Sequence, residues 1–378
     1  MFSYWQKNYF AAPFDVAVIG AGINGLLSAA FLKKNHPALR VAVFEKGILP
    51  DGATMRNAGF ACFGSMTELM EDAEQNGMEP VLQLLKSRYE GLKLLRSWCG
   101  DAAIGYEACG GYEFFARDES DTLARVKEAM PGWNRDIKAF CGLDTTFADN
   151  TVKAADMELG ASLGLIGNAY EGAVNSAMLI RTLWHKAMSL GVEVYTNFEL
   201  EQYEATGSGF NLSFANTHRV QGRRLLFCTN GYISKLPGIS GLSPARGQVL
   251  VTEPIPGLKL KGTFHHHFGY NYFREIDGRV LLGGGRFLDR EGETSSEHQL
   301  SEKIQDYLEG LLGSVILPGR NLRIETRWAG IMAVGESKNP IVKKLEENLY
   351  FAGRMGGMGV ALGAHSASEA AELVAQSL

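Results

Sequence analysis

The residues best placed to do chemistry lie in DVAVIGAGINGLLSAAFLKKNHPALRVAVFEK, residues 15–46. Gly20, Gly22 and Gly25 stand in G-x-G-x-x-G spacing, after the apolar run 16–19 and before the helical pattern 26–32. A second apolar run, 41–44, ends on Glu45 and Lys46. Glycines in this frame permit a tight turn and let backbone N–H groups approach a pyrophosphate at the positive end of a helix. The acid at the end of the second strand is placed to bind a ribose hydroxyl. Strand, glycines, helix, second strand and acid all agree, so the stretch predicts a dinucleotide site. A glycine-rich turn that merely closes a strand–helix unit would make no demand on Glu45.

Three other groups could do chemistry. Tyr270, Tyr272 and Arg274 alternate along one arm of a hairpin, and residues two apart share a face. Aromatic walls and one cation suit an amino acid or an amine with an acidic tail, although the same face could pack an ordinary sheet. Arg354, inside the glycine cluster GRMGGMG at 353–359, is a second candidate for a carboxylate or cofactor partner. His265, His266 and His267 are adjacent, but strand neighbours point to opposite faces and no acid or cysteine completes a ligand set, so no metal is expected. No Ser/His/Asp or metal-binding motif accompanies them.

The elements that must position these residues can be read from pattern. The chain has 378 residues, 46% apolar and 21% charged, with a net charge of −5. That is long enough for more than one domain, and the mild charge gives no sign of a nucleic-acid or anionic-membrane partner. Five cysteines without a C-x-x-C pair argue for a reducing, cytoplasmic setting. MFSYWQKNYF lacks the apolar core of a signal peptide, and no run reads as membrane-spanning. Helices are expected over 81–98, 300–312 and 360–375, and a strand–helix–strand unit over 172–200. Asp277-Gly278 marks the turn of a hairpin over 270–283. Strands over 210–214 and 224–228 follow, the second running into Thr229-Asn230-Gly231. Residues 51–65 read as a loop, and 101–160, irregular in pattern, as strands and a helix of a second layer. The expected fold is α/β with an α+β insertion. A split Rossmann-like cofactor domain would comprise residues 1–98, 160–240 and 325–378, and a β-rich substrate domain 99–159 and 241–324.

Together these motifs resemble the FAD-dependent amine oxidoreductases that include D-amino-acid oxidase, glycine oxidase and sarcosine oxidase. The likeness covers most of the chain and is carried by VAVIGAGINGL…VFEK, GATMRNAGF, GAVNSAMLIRTLWHKAMSLGVEVY, LLFCTNGY, SPARGQVLVTEP, NYFREIDGRVLLGGG, RWAGI and NLYFAGRMGGMGVALGAHSASEAAEL. SYWQ, at 3–6, resembles the N-termini of bacterial members. The resemblance implies that Gly20, Gly22, Gly25, Glu45 and Lys46 hold the ADP half of FAD. It sets Arg56, Asn57, Ala58 and Gly59 along the pyrophosphate and flavin ring, and Val174 against adenine through backbone groups. Asn230, Gly231, Gly353, Gly356, Gly357, Met358 and Gly359 would complete the cofactor site. The helix that follows them would face the flavin pyrimidine end, where a helix N-terminus stabilises the negative charge of the reduced ring.

Two departures from the family pattern stand out. Members bound covalently to flavin carry a cysteine shortly after the tryptophan segment, whereas Trp328 is followed by Ala329-Gly330-Ile331-Met332. Non-covalent FAD is therefore expected. D-amino-acid and glycine oxidases carry an arginine in that segment to pair the substrate carboxylate; here Ile331 or Met332 stands there. The activity implied is oxidation of the C–N bond of an amine or amino acid by hydride transfer to flavin N5. Such chemistry needs orientation and exclusion of water rather than a nucleophile. The electron acceptor, oxygen or a quinone or carrier protein, stays open. Two other readings stay open as well: an NAD-dependent dehydrogenase, and a flavin-binding protein without turnover.

Overall fold

The computed structural model describes residues 3–9, 12–159, 162–232, 236 and 238–378. Residues 1, 2 and 10 of the N-terminal stretch, and the expected domain boundary at 160, lie outside the described residues. Phe14–Ile19 is buried except at Asp15 and pairs in parallel with Val41–Phe44 on one side and Arg219–Phe227 on the other. The full sheet runs Ile341–Glu346, Leu349–Gly353, Arg219–Phe227, Phe14–Ile19, Val41–Phe44, Glu193–Tyr195, with the hairpin Leu200–Thr206/Gly209–Phe214 attached to Arg219–Phe227. Both faces are covered, which is why these strands read as unbroken apolar runs. Val16, Val18 and Val43 pack under the helices Ile23–Asn35, Ser176–Ser189 and Gly359–Ala375. Ala17, Phe44, Phe214, Phe227 and Phe351 form an aromatic layer on the opposite face.

A second sheet runs Ile324–Val334, Ser243–Thr252, Arg279–Gly284, Asn271–Ile276, Thr263–His266, Gly111–Ala116, Ser162–Asn168, Phe147–Asp149. Adjacent residues of its strands serve different layers. Phe114 packs toward the helix Glu302–Leu311, and Phe115 toward the helices Met66–Asn76, Met78–Cys99 and Ser120–Cys141. Asp277 and Gly278 both take positive φ, 49° and 73°, as a two-residue type I′ hairpin turn requires.

The sheets correct the expected domain limits. Ser162–Asn168 pairs with Gly111–Ala116 and Phe147–Asp149, so it belongs to the substrate layer rather than to a cofactor segment beginning at 160. Ile324–Val334 pairs along its length with Ser243–Thr252, which moves the start of the last cofactor segment beyond 334. Residues 51–65 contain a helical turn, Ala53–Arg56, and a short strand, Phe60–Ala61. The region 101–160 holds the strands and helix expected there: Gly111–Ala116, Phe147–Asp149 and the 22-residue helix Ser120–Cys141 with Pro131 inside it. Among the described residues no helix is long and apolar enough to cross a membrane, and the five cysteines are free.

Candidate active site

One cleft of about 1110 Å³ opens between the two sheets and runs from the first glycine turn to the exposed face of the second sheet. Its volume lies just above the usual small-ligand range of ~300–1,000 Å³. At one end are Gly20, Gly22, Glu45 and Lys46. Gly22 caps the helix Ile23–Asn35, whose N-terminus therefore faces the cleft. The buried Glu45 carboxylate accepts from the N–H groups of Ala21 at 2.8 Å and Gly47 at 3.2 Å. Two carboxylate oxygens offer about four lone-pair sites, so acceptor capacity remains for hydroxyls. Gly25 does not line the cleft. A Cβ there would stand 1.9 Å from the carbonyl oxygen of Gly20, so this glycine lets the helix pack against its own turn. The Lys46 ammonium lies 3.8 Å from the centre of the Tyr232 ring.

The middle of the cleft is walled by Arg56, Asn57, Ala58, Asn230 and Gly231. Arg56 is held by the Asp51 carboxylate at 2.8 Å and by the Ala329 carbonyl at 3.1 Å, while Trp328 Nε1 donates to the Arg56 carbonyl at 3.0 Å. Asn57 donates to the Ala53 and Thr54 carbonyls and accepts from the Gly59 N–H and the Ser176 hydroxyl. These bonds fix the backbone of 53–59 along the wall. From the far side Gly353, Gly356, Gly357, Met358 and Gly359 line the cleft, with Gly359 opening the closing helix. A helix N-terminus at each side, a carboxylate with free acceptor capacity and a backbone-lined trough fit a flavin dinucleotide. Cys62 and Cys228 also line the cleft, but burial pushes both thiols up, Cys228 to about 12.

Four further expected site residues, Val174, Gly59, Arg274 and Arg354, lie elsewhere. Val174 donates its N–H to the Gly59 carbonyl at 2.8 Å, and its own carbonyl accepts from Arg274 Nη1 at 3.1 Å. Both of its backbone groups thus serve a knot beside the cleft rather than adenine. Gly59 sits in that knot too, where a Cβ would stand 2.3 Å from the Val174 carbonyl oxygen. Arg274 is 6% exposed and also donates to the carbonyls of Gly59 and Glu275. It shares a strand face with Tyr272, as alternation requires, but the cofactor segment covers that face at Arg274 and closes it to a substrate. Arg354 turns away to the Asn339 carbonyl, while its N–H donates to Asn230. Tyr272 and Tyr270 do line the cleft, Tyr270 at the rim with its hydroxyl accepting from Arg290 at 3.2 Å.

The structure brings together groups that spacing alone did not relate to one another. His265 pairs in register with Tyr272, so the two project from the same face of the sheet. His266 points the other way, to the Phe114 carbonyl and the Glu119 carboxylate. His265 is buried in the cleft wall, and neither ring nitrogen has a hydrogen-bond partner among the described residues. Beside it is Glu68, ion-paired to Arg88 at 3.3 Å and to Lys338 at 3.1 Å. Burial works to raise the Glu68 carboxyl, but Arg88 and Lys338 hold it down at about 2. Burial lowers His265 from its ordinary value, against the pull of Glu68. Arg286 lines the same end of the cleft. Its Nε is buried without a partner, and among the described residues its guanidinium makes no ion pair. Burial, then the neighbouring Arg290, lowers its affinity for its proton. Met332 lies across from Gly357, 3.6 Å from where a Cβ there would stand, so the expected clamp position is apolar.

A family model described as FAD dependent oxidoreductase matches residues 15–373. Mitochondrial L-2-hydroxyglutarate dehydrogenase from Bos taurus is 25% identical over 74% of this chain, which spans 63% of that relative's length. Sarcosine oxidase subunit beta from Rhodobacter capsulatus is 24% identical over 90% of this chain and 81% of the relative. Among solved structures, glycine oxidase from Geobacillus kaustophilus superposes with a TM-score of 0.75 at 21% identity, covering 96% of this chain and 95% of that one.

Proposed function

The chain belongs to the FAD-dependent oxidoreductase family, and from that membership we propose that it oxidises the C–N bond of an amino acid or related amine by hydride transfer to non-covalently held FAD. The nicotinamide alternative falls with the family. The observation that carries the proposal is the continuity of the cleft, which joins a dinucleotide trough to a wall bearing Tyr272, His265 and the unpaired Arg286.

FAD, when bound, supplies the hydride acceptor at N5; the chain's residues hold it and orient the donor. Gly20, Gly22, Glu45 and Lys46 would take the ADP half, and Arg56, Asn57, Ala58, Asn230 and Gly231 the middle. The glycine turn 353–359 would meet the pyrimidine end. Arg286, rather than Arg274 or Arg354, would anchor a substrate carboxylate, since its side chain is half-buried with Nε enclosed and unpartnered, and such a donor gains most when an anion arrives. Tyr272, whose phenol burial pushes up to about 12, stays a neutral donor beside it. Tyr270 would close the rim.

The relative named L-2-hydroxyglutarate dehydrogenase favours a second reading, a 2-hydroxy acid donor, which the same cationic anchor would accept. Anaerobic spectra of the yellow protein test both. Bleaching by N-methyl or D-amino acids supports the amine reading, bleaching by 2-hydroxy acids alone replaces it, and a flavin that no donor bleaches refutes both. Repeating the active pair in air, with a peroxide assay, separates oxidase from dehydrogenase.

A further inference from the structure

Two guanidinium groups line the substrate end of the cleft, and among the described residues neither forms an ion pair. Arg286 enters from the turn Arg286–Leu288, half-buried, with its Nε enclosed and unpartnered. Arg290 follows in the same segment at the exposed rim, where it donates to the Tyr270 hydroxyl at 3.2 Å. Two acids of this segment are engaged elsewhere. The buried Glu293 pairs with Arg246 at 2.7 Å and accepts from Gln248 at 2.9 Å. Asp289 accepts from the Gly292 N–H at 3.0 Å. Glu291 and Glu297 are exposed and pair with neither arginine among the described residues. The segment is also held in place. Its Phe287 ring packs 5.8 Å from Tyr270 and 5.6 Å from Tyr307, and the Glu293 carbonyl accepts from the Arg246 N–H at 2.8 Å. The Arg290 guanidinium carbon lies 5.7 Å from the centre of the Tyr270 ring. Like charges held this near disfavour one another until an anion intervenes, and the Arg290 charge stands second to burial in weakening the hold of Arg286 on its proton. One carboxylate on Arg286 would leave the outer cation unmatched.

We propose that the donor is a dicarboxylate: Arg286 takes the carboxylate beside the reacting carbon, and Arg290 takes a second carboxylate at the rim. This rests on the reading of Arg286 as the substrate anchor, and it holds for an amine and for a 2-hydroxy acid alike. Arg290 then determines which substrates are accepted rather than how they react. The Tyr270 hydroxyl and ring hold its planar fork at the mouth, where it can meet a carboxylate with two parallel N–H donors. Its exposure keeps the gain modest, because water competes for the same cation.

The test uses acids that carry no donor nitrogen or hydroxyl: succinate, glutarate and the monoanion butyrate, titrated calorimetrically into the FAD-loaded enzyme. At least one of the two dicarboxylates should bind about 5- to 10-fold tighter than butyrate. Arg290→Gln should remove that preference, and Arg290→Lys, which keeps the charge without the fork, should keep part of it. Raising the salt should narrow the wild-type preference, since the rim pair is open to ions. Among donors that bleach the flavin, D-glutamate should exceed its amide D-glutamine in kcat/KM by the same factor. Retention of FAD with an unchanged spectrum shows that each variant is folded. Equal binding of the three acids in the wild type, or a preference that survives Arg290→Gln, overturns the role of Arg290 and leaves Arg286 as the anchor of a single carboxylate. Binding of none of them removes the anchor reading and the inference with it. If dicarboxylates are preferred but no donor bleaches the flavin, the oxidation reading fails while the inference about charge class is upheld.

Discussion

The glycines of the first turn should separate into one that holds the fold and one that admits the cofactor. A methyl at Gly25 would stand 1.9 Å from the Gly20 carbonyl oxygen and 3.3 Å from Cys228 Cβ. Ordinary carbon contacts lie near 3.5–4.0 Å, so the helix Ile23–Asn35 must move by more than 1 Å from its turn. The first strand, that helix and the closing helix share one core, so the movement has nowhere cheap to go. Overpacking of a tight core costs about 1–3 kcal/mol, and a backbone clash this deep belongs at or above the upper end. A methyl at Gly22 meets only the Thr54 hydroxyl, at 3.2 Å, and points into the cleft. Gly22→Ala should therefore leave the apoprotein within about 0.5 kcal/mol of wild type, apart from the helix-propensity change at a cap. Its FAD dissociation constant should rise about 10- to 100-fold, the equivalent of about 1.4–2.8 kcal/mol. Urea unfolding of the flavin-stripped protein, paired with FAD titration by fluorescence quenching, measures both. Equal loss of apoprotein stability in Gly22→Ala and Gly25→Ala would refute this division of labour.

Arg274→Met should lower stability by about 2–4 kcal/mol, because two buried carbonyls, of Gly59 and Val174, lose a charged donor. Its KM for a carboxylate donor should change little, and a large selective rise in KM would return Arg274 to the substrate site. Arg286→Met should do the reverse, raising KM for a carboxylate donor about 10- to 100-fold while leaving unfolding unchanged or slightly improved, since a half-buried cation with an unpartnered Nε is removed. Equal KM effects on carboxylate and neutral amines would count against it. Burial pushes Glu171 up to about 8 from an ordinary 4.5, overriding the Phe63 and Gly64 N–H donors and joined by the nearby Glu68 charge. Between those values the folded chain keeps a proton that the unfolded chain has lost, so this group's contribution to stability falls as pH rises. Glu171→Gln cannot ionise and should flatten that fall; urea midpoints at about pH 5 and pH 8 measure it, and parallel shifts in both proteins would contradict it.

What was legible in the chain is what local pattern controls. The dinucleotide turn, the Asp277-Gly278 hairpin and the closing glycine turn each depend on backbone conformations that few residues tolerate, and each lies where its residues put it. A helix was legible somewhere in 101–160, but the bounds of Ser120–Cys141 were not, because Pro131, Gly132 and its solvent-facing charges break the periodicity that tertiary packing restores through Leu123, Val126, Trp133 and Ile137. Ser162–Asn168 could not be assigned to a sheet from its own residues, since its partners are Gly111–Ala116 and Phe147–Asp149. Arg274 shows the same limit at the site. Alternation gives the face it occupies, but only the docking of Gly59 and Val174 over that face decides that its guanidinium is enclosed.

The proposed cationic anchor would let the site keep a requirement while changing the residue that meets it. The segment after Trp328 presents Ile331 and Met332, so that wall of the cleft is apolar and offers an anion nothing. The opposite wall ends in Gly283-Gly284-Gly285, and there the strand is made to turn. Gly283 leaves room for the Tyr272 ring, whose atoms would lie within 2.6 Å of any Cβ at that position. Gly285, with φ 74°, takes the left-handed conformation that starts the turn Arg286–Leu288. Arg286 thereby leaves the strand's alternation and enters the cleft with its Nε buried, alongside the tyrosine that Gly283 accommodates. In the sequence this stretch reads only as the end of a hairpin, because the residue that matters is carried past the last strand position. Its position is set by Gly285, which starts the turn, and by Gly283, whose purpose is visible only against Tyr272. On the proposed reading, a cation delivered by a turn after one strand would replace a cation expected within another, and its enclosed, unpartnered Nε is what would meet the requirement.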